Sequence, residues 1–102
     1  MNNANAYASS TVIGTGGTAQ QLQSPGTGPG ADIPQGSYIV LKARKNNTSP
    51  LYVGNSNAVT ASTGFELQPG DITPLLPIGA LSKAWIIGAT TNDRYDLLTL
   101  GP

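Results

Sequence analysis

The sequence predicts an all-β protein: a single antiparallel β-sandwich of about seven short strands, in a jelly-roll, immunoglobulin-like or barrel-like arrangement, with a flexible N-terminal arm. Three observations carry this expectation. Short apolar or alternating runs recur every ~8–12 residues with turn signals between them. No stretch of useful length shows the helical period of about 3.6 residues. The 102 residues include 13 glycines and 8 prolines, which interrupt regular elements and furnish turns. Residues 1–11 are expected to form the arm, and residues 12–102 the sandwich domain, with a Gly/Pro-rich loop over 24–36.

The arm, MNNANAYASST, is small and polar, and Tyr7 is the only aromatic in it. Thr11-Val12-Ile13 is β-branched throughout and predicts a short strand. Gly14-Thr15-Gly16-Gly17 is a turn, and Thr18–Gln23 a second short strand anchored by Leu22. Ser24–Gly30 packs three glycines and two prolines into seven residues, so it is a loop, continued by Asp32–Gly36. Ser37–Lys45 is the strongest strand, with Ile39, Leu41 and Ala43 on one face. Asn46–Pro50 leads into Leu51-Tyr52-Val53, and the two strands read as a hairpin with a long loop.

Asn55–Ser62 is an exposed loop, and Gly64–Leu67 another short strand. Gln68-Pro69-Gly70-Asp71 is a type II turn, since proline presets the second position and glycine supplies positive φ at the third. Ile72–Ile78 is apolar but carries Pro74 and Pro77, which place it at a sheet edge. Gly79–Ser82 is expected to make one helical turn. Ser82–Ala89 is a strand with Trp85 and Ile87 on one face and Ile86 on the other. Thr90–Asp93 is a turn, and Arg94–Leu100 the last strand. The expected core is Ile39, Leu41, Val53, Phe65, Leu67, Ile72, Leu75, Trp85, Ile87, Leu97 and Leu100, with Phe65→Ala strongly destabilising.

Ten residues are charged: Lys42, Arg44, Lys45, Lys83 and Arg94 against Asp32, Glu66, Asp71, Asp93 and Asp96, for a net charge of zero. A typical domain has about a quarter of its residues charged. A neutral, weakly charged surface meets little repulsion from its neighbours, which suits an assembly. Nucleic-acid binding by charge needs clustered Lys and Arg, and Lys42–Lys45 reads instead as the solvated end of a strand. No apolar run approaches the ~20 residues of a membrane helix. The N-terminal residues lack a basic segment followed by a hydrophobic one, so export through a signal peptide is not expected.

With no cysteine and no histidine, neither disulfides nor thiolate metal sites are available, and the commonest general base is missing. No cofactor is expected. Gly14-Thr15-Gly16-Gly17-Thr18 superficially resembles a phosphate loop, but no Gly-Lys-Ser/Thr ending follows, and a turn is the better reading. Asp71, Asp93 and Asp96 are the only carboxylates near turns that invite a catalytic reading, and that reading is disfavoured without histidine, cysteine or a cleft-scale insertion. The sequons starting at Asn46 and Asn47 read as chance matches.

Leu51-Tyr52-Val53-Gly54, Val59-Thr60, Thr63-Gly64-Phe65-Glu66-Leu67, Pro69-Gly70-Asp71 and Leu81–Ala89, followed by a terminal strand, form a pattern over residues 37–100. It resembles small β-sandwich virion proteins of tailed bacteriophages, among them capsid decoration (cement) proteins and head fibres. The resemblance implies a non-enzymatic structural protein, made in the host bacterial cytoplasm and placed on the capsid exterior. Its implied partners are the major capsid protein and itself, as a homotrimer, with neither nucleic acid nor membrane. Contact is expected through the arm and the loop: Asn2, Asn3, Tyr7, Ser10, Pro25, Pro29 and Ile33. The alternative is a receptor- or glycan-binding module, or a head-fibre or tail component, with Tyr52, Trp85 or Tyr95 stacking on sugar.

Overall fold

The computed structural model describes residues 6–23, 30, 37–77 and 81–100. Its strands are β1 (Ala6–Val12), β2 (Gln20–Gln21), β3 (Tyr38–Ala43), β4 (Leu51–Gly54), β5 (Phe65–Leu67), β6 (Trp85–Gly88) and β7 (Arg94–Leu100), with a 3-10 turn at Leu81–Lys83. They form two antiparallel sheets, β1-β7-β3 and β2-β6-β4-β5. Residues 72–76 join the free side of β3 through two bridges, Ile39 with Leu76 and Lys42 with Ile72. Counting this segment, the sheets read β1-β7-β3-(72–76) and β2-β6-β4-β5. The chain changes sheet at every connection but the one between β4 and β5. That is the connectivity of a jelly roll.

The two bridges also show why the prolines fall where they do. Four steps along 72–76 answer three along β3, so the segment carries one extra residue, a bulge at Pro74. Thr73 N donates to the Leu41 carbonyl at 2.8 Å, but Leu41 N donates to the Thr73 hydroxyl at 3.0 Å instead of to a backbone oxygen. Past the bulge, Ile39 and Leu76 exchange both backbone bonds. The type II turn before the segment is as expected: Gly70 has φ of 96° and Asp71 N bonds the Gln68 carbonyl at 2.8 Å.

The core lies between the sheets. Ile39, Leu41, Ala43, Tyr95 and Leu97 come from one sheet, and Leu51, Leu67 and Ile86 from the other, with Ile13, Leu22, Leu81 and Ala84 closing the ends. Val53 and Leu76 pack against it. Each fully buried aliphatic side chain contributes on the order of 1.5–3 kcal/mol.

Several expectations need correction. Ser37–Lys45 and Leu51–Val53 do not form a hairpin: β3 and β4 lie in different sheets, and Asn46–Pro50 crosses between them. Ala6–Val12, expected mainly as arm, pairs with β7 along all seven residues, from Ala6 opposite Leu100 to Val12 opposite Arg94. Its side chains are too small and polar to announce a strand, and the pairing comes from β7. The second strand, expected over Thr18–Gln23, is confined to Gln20–Gln21.

Phe65, Ile72, Leu75 and Leu100, expected in the core, are exposed, between 37% for Leu100 and 63% for Ile72. Trp85 and Ile87 are only half-buried, while Ile86 is fully buried, so β6 turns the opposite face inward. The reason is steric. Gly88, two residues on from Ile86, faces Leu51 so closely that a Cβ there would lie 2.6 Å from its Cδ2.

Candidate docking surface

In β7 and β3 the outward positions alternate with the buried ones. In β7, Tyr95, Leu97 and Thr99 are buried, leaving Arg94, Asp96, Leu98 and Leu100 outward; in β3, Tyr38, Val40 and Lys42 are outward. Register stacks them in rows: Ser10, Asp96, Lys42 and Ile72 form one, Leu98 and Val40 the next, Leu100 and Tyr38 the last. One end of this face is therefore charged and the other apolar. Of the six large exposed hydrophobic side chains among the described residues, Tyr38, Ile72, Leu98 and Leu100 stand on it. A shallow depression across it is lined by Ser10, Val40, Lys42, Arg44, Ile72 and Leu98, among others.

At the charged end, Arg44 Nε donates to both Asp96 carboxylate oxygens at 2.9 and 3.1 Å. The pair is solvent-exposed, and such pairs contribute only ~0–1 kcal/mol. Arg94 reaches the Ser10 hydroxyl at 3.5 Å.

A second apolar depression opens between the sheet edges, lined by Val53, Phe65, Thr73, Pro74 and Leu76. It explains the exposure of Phe65: β5 is an edge strand, and the bulged 72–76 segment does not close over the ring.

The remaining predicted residues divide as follows. Ser10 lies on the outward face, in register with Asp96. Tyr7 sits in β1 opposite Thr99 by register. Asn2, Asn3, Pro25, Pro29 and Ile33 lie outside the described residues. Of the aromatics suggested for sugar stacking, Tyr95 is fully buried, and Tyr52 and Trp85 are half-buried.

The acidic residues near turns have structural partners. Asp93 is buried, and its two oxygens accept Thr48 N at 2.9 Å and Ser49 N at 3.0 Å. Beside it, Asn47 mimics a strand neighbour: its amide nitrogen donates to the Arg94 carbonyl and its oxygen accepts Arg94 N, both at 2.8 Å. Together they pin the 46–50 crossover to the start of β7. Asp71 Oδ2 accepts Gln68 N at 2.9 Å and stabilises its own turn.

Burial perturbs the protonation of Tyr95: desolvation pushes its phenol above the usual value of 10.0, opposed by hydrogen bonds from Gln23 N and with Thr11. Among the described residues there is no group of three or more His, Cys, Asp or Glu able to hold a metal ion, and no helix long and apolar enough to cross a membrane. The Gly14–Thr18 stretch is a turn. Gly17 takes φ of 85°, and Gly16 packs against the Ala89 backbone, with its N donating to Thr91 Oγ1 at 2.9 Å.

The outward sheet face is not evident from the sequence reading because two of its residues, Ile72 and Leu100, are expected there in the core. The signal was present in the parity of β7: Leu97 and Leu100 cannot share a face of a strand. No family model matches the sequence, and neither a curated protein nor a solved structure matches it.

Proposed function

We propose that this protein is a non-enzymatic structural component of a bacteriophage virion, a capsid decoration protein. In this reading it binds the outside of the assembled major-capsid shell as a homotrimer and is made in the host bacterial cytoplasm. The observation that carries the reading is the combination of a small jelly roll with an exposed, partly apolar sheet face. Apolar faces of this kind mark interaction surfaces on proteins that otherwise keep such area covered. Jelly rolls occur in viral capsid and lectin domains among others, so the fold is compatible with the reading but does not select it. The resemblance over residues 37–100 supplies the virion context.

A protein that binds the assembled shell and not its isolated subunits stabilises the shell by mass action. The test is co-sedimentation of the purified protein with shells that lack it, followed by cryo-electron microscopy. Density at threefold or quasi-threefold positions on the shell is expected. Failure to sediment with shells, or density confined to the tail, refutes the reading. A glycan array tests the receptor-binding alternative, which the burial of Tyr95 reduces to Tyr52 and Trp85.

A further inference from the structure

The outward face of the β1-β7-β3 sheet points to its own occupant, and we propose that this occupant is a different protein: a surface apolar at its centre and acidic at one margin. This rests on the shell-binding reading and assigns to it a face and a partner chemistry. Leu98, Val40 and Ile72 form the apolar centre, with Tyr38 and Leu100 beyond. At the other end stand three cations, Lys42, Arg44 and Arg94, against one carboxylate, Asp96, which Arg44 already engages. Lys42 lies opposite Asp96 in the register, yet forms no ion pair among the described residues. The margin is therefore net positive on a chain whose total charge is zero.

The same face of a second copy cannot supply the complement, because its carboxylate, Asp96, is already engaged by Arg44. Asp93 is buried with both oxygens occupied, Asp71 is turned to Gln68, and Glu66 is paired with the Gln68 side-chain amide. Glu66 is exposed but lies on the outward side of the other sheet, and two copies of this face would bring together two net-positive margins and no acidic one. Nucleic acid fits poorly as well, because Leu98, Val40 and Ile72 offer aliphatic contact where phosphates or stacking bases would need charge or rings. An acidic, apolar protein surface satisfies both ends of the face at once, through apolar burial and charge complementarity.

The experiment uses the full chain and shells that lack it. Two variant pairs alter the face, Ile72→Ser with Leu98→Ser and Lys42→Glu with Arg94→Glu. Glu66→Gln, on the outward side of the other sheet, is the control. All five positions are exposed, and thermal unfolding verifies folding; the charge pair keeps the test open should the apolar pair fail to fold. The wild type should bind shells, and should bind more weakly as salt rises. Each pair should lose about tenfold or more in affinity, the charge pair should also lose the salt dependence, and the control should bind as the wild type does.

Either folded pair binding like the wild type overturns the proposal while leaving the shell reading intact. A change of oligomeric mass by light scattering in the apolar pair overturns it in favour of a second copy. Retention of a single-stranded DNA oligonucleotide that the charge pair abolishes overturns it in favour of nucleic acid. Failure of the wild type to bind shells overturns both the shell reading and the proposal.

Discussion

Removing the Asp93 carboxylate should be among the most damaging single changes at this protein's surface-near positions. The carboxylate accepts Thr48 N and Ser49 N at 2.9 and 3.0 Å while only 6% exposed. Hydrogen bonds to a charged group contribute ~1.5–3 kcal/mol each. In Asp93→Ala the two amides lose their acceptor, but Thr48 is exposed and Ser49 half-buried, so water recovers part of the loss. The expected cost is about 2–4 kcal/mol, a large share of the ~5–15 kcal/mol that holds a domain together. At ~4–8 °C per kcal/mol for a chain of this size, the melting temperature should fall by roughly 10 °C or more. Asp93→Asn retains one acceptor oxygen and replaces the other with a donor that faces an amide, so it should cost about 1–2 kcal/mol.

Urea and thermal unfolding followed by circular dichroism measure both. Hydrogen exchange at Thr48 and Ser49 should accelerate in each variant before any global loss. A cost below about 1 kcal/mol for Asp93→Ala would refute the view that this carboxylate fixes the sheet-to-sheet crossover.

Other outcomes follow from the same structure. Phe65→Ala should cost no more than about 1 kcal/mol because the ring is 59% exposed, whereas Leu41→Ala should cost ~2–5 kcal/mol; equal costs in urea unfolding would contradict the burial pattern. Gly16→Ala should destabilise by about 1–3 kcal/mol, since a Cβ there collides with the Ala89 carbonyl, and its melting temperature should fall while Gly17→Ala suffers only from its positive φ. Tyr95 binds its proton more tightly folded than unfolded, so its contribution is fully present below pH 10 and is lost as pH rises through the higher folded pKa. The slope reaches at most about 1.4 kcal/mol per pH unit, and an alkaline melting series on Tyr95→Phe should be flatter than on the wild type.

Much of the fold was legible because it is locally encoded. Pro69-Gly70 dictates a type II turn by its own dihedral preferences, and Gly70 adopts the required positive φ. Pro74 and Pro77 mark an edge segment because a missing N–H cannot be supplied from afar, and 72–76 lies at the edge beside β3. The parity of Ile39, Leu41 and Ala43 fixed the buried face of β3. The face of β6 was not legible: Trp85-Ile86-Ile87 is apolar on both sides, and only packing against Leu51 selects Ile86. Of the candidate contact residues, Ser10 joined the outward face only through a register that β7 imposes on β1.

Sequence alone therefore determined an all-β chain with turns at Gly14–Gly17, Gln68–Asp71 and Thr90–Asp93, because dihedral preference and alternation act over a few residues. Which sheet each strand joins was decided by the tertiary structure. Asn46–Pro50 looks like a hairpin loop, and becomes a crossover because Asp93 and Asn47, brought together from 46 residues apart in the chain, hold it against β7. Pairing across that distance depends on where the whole core settles, and so does the apolar face left outside it.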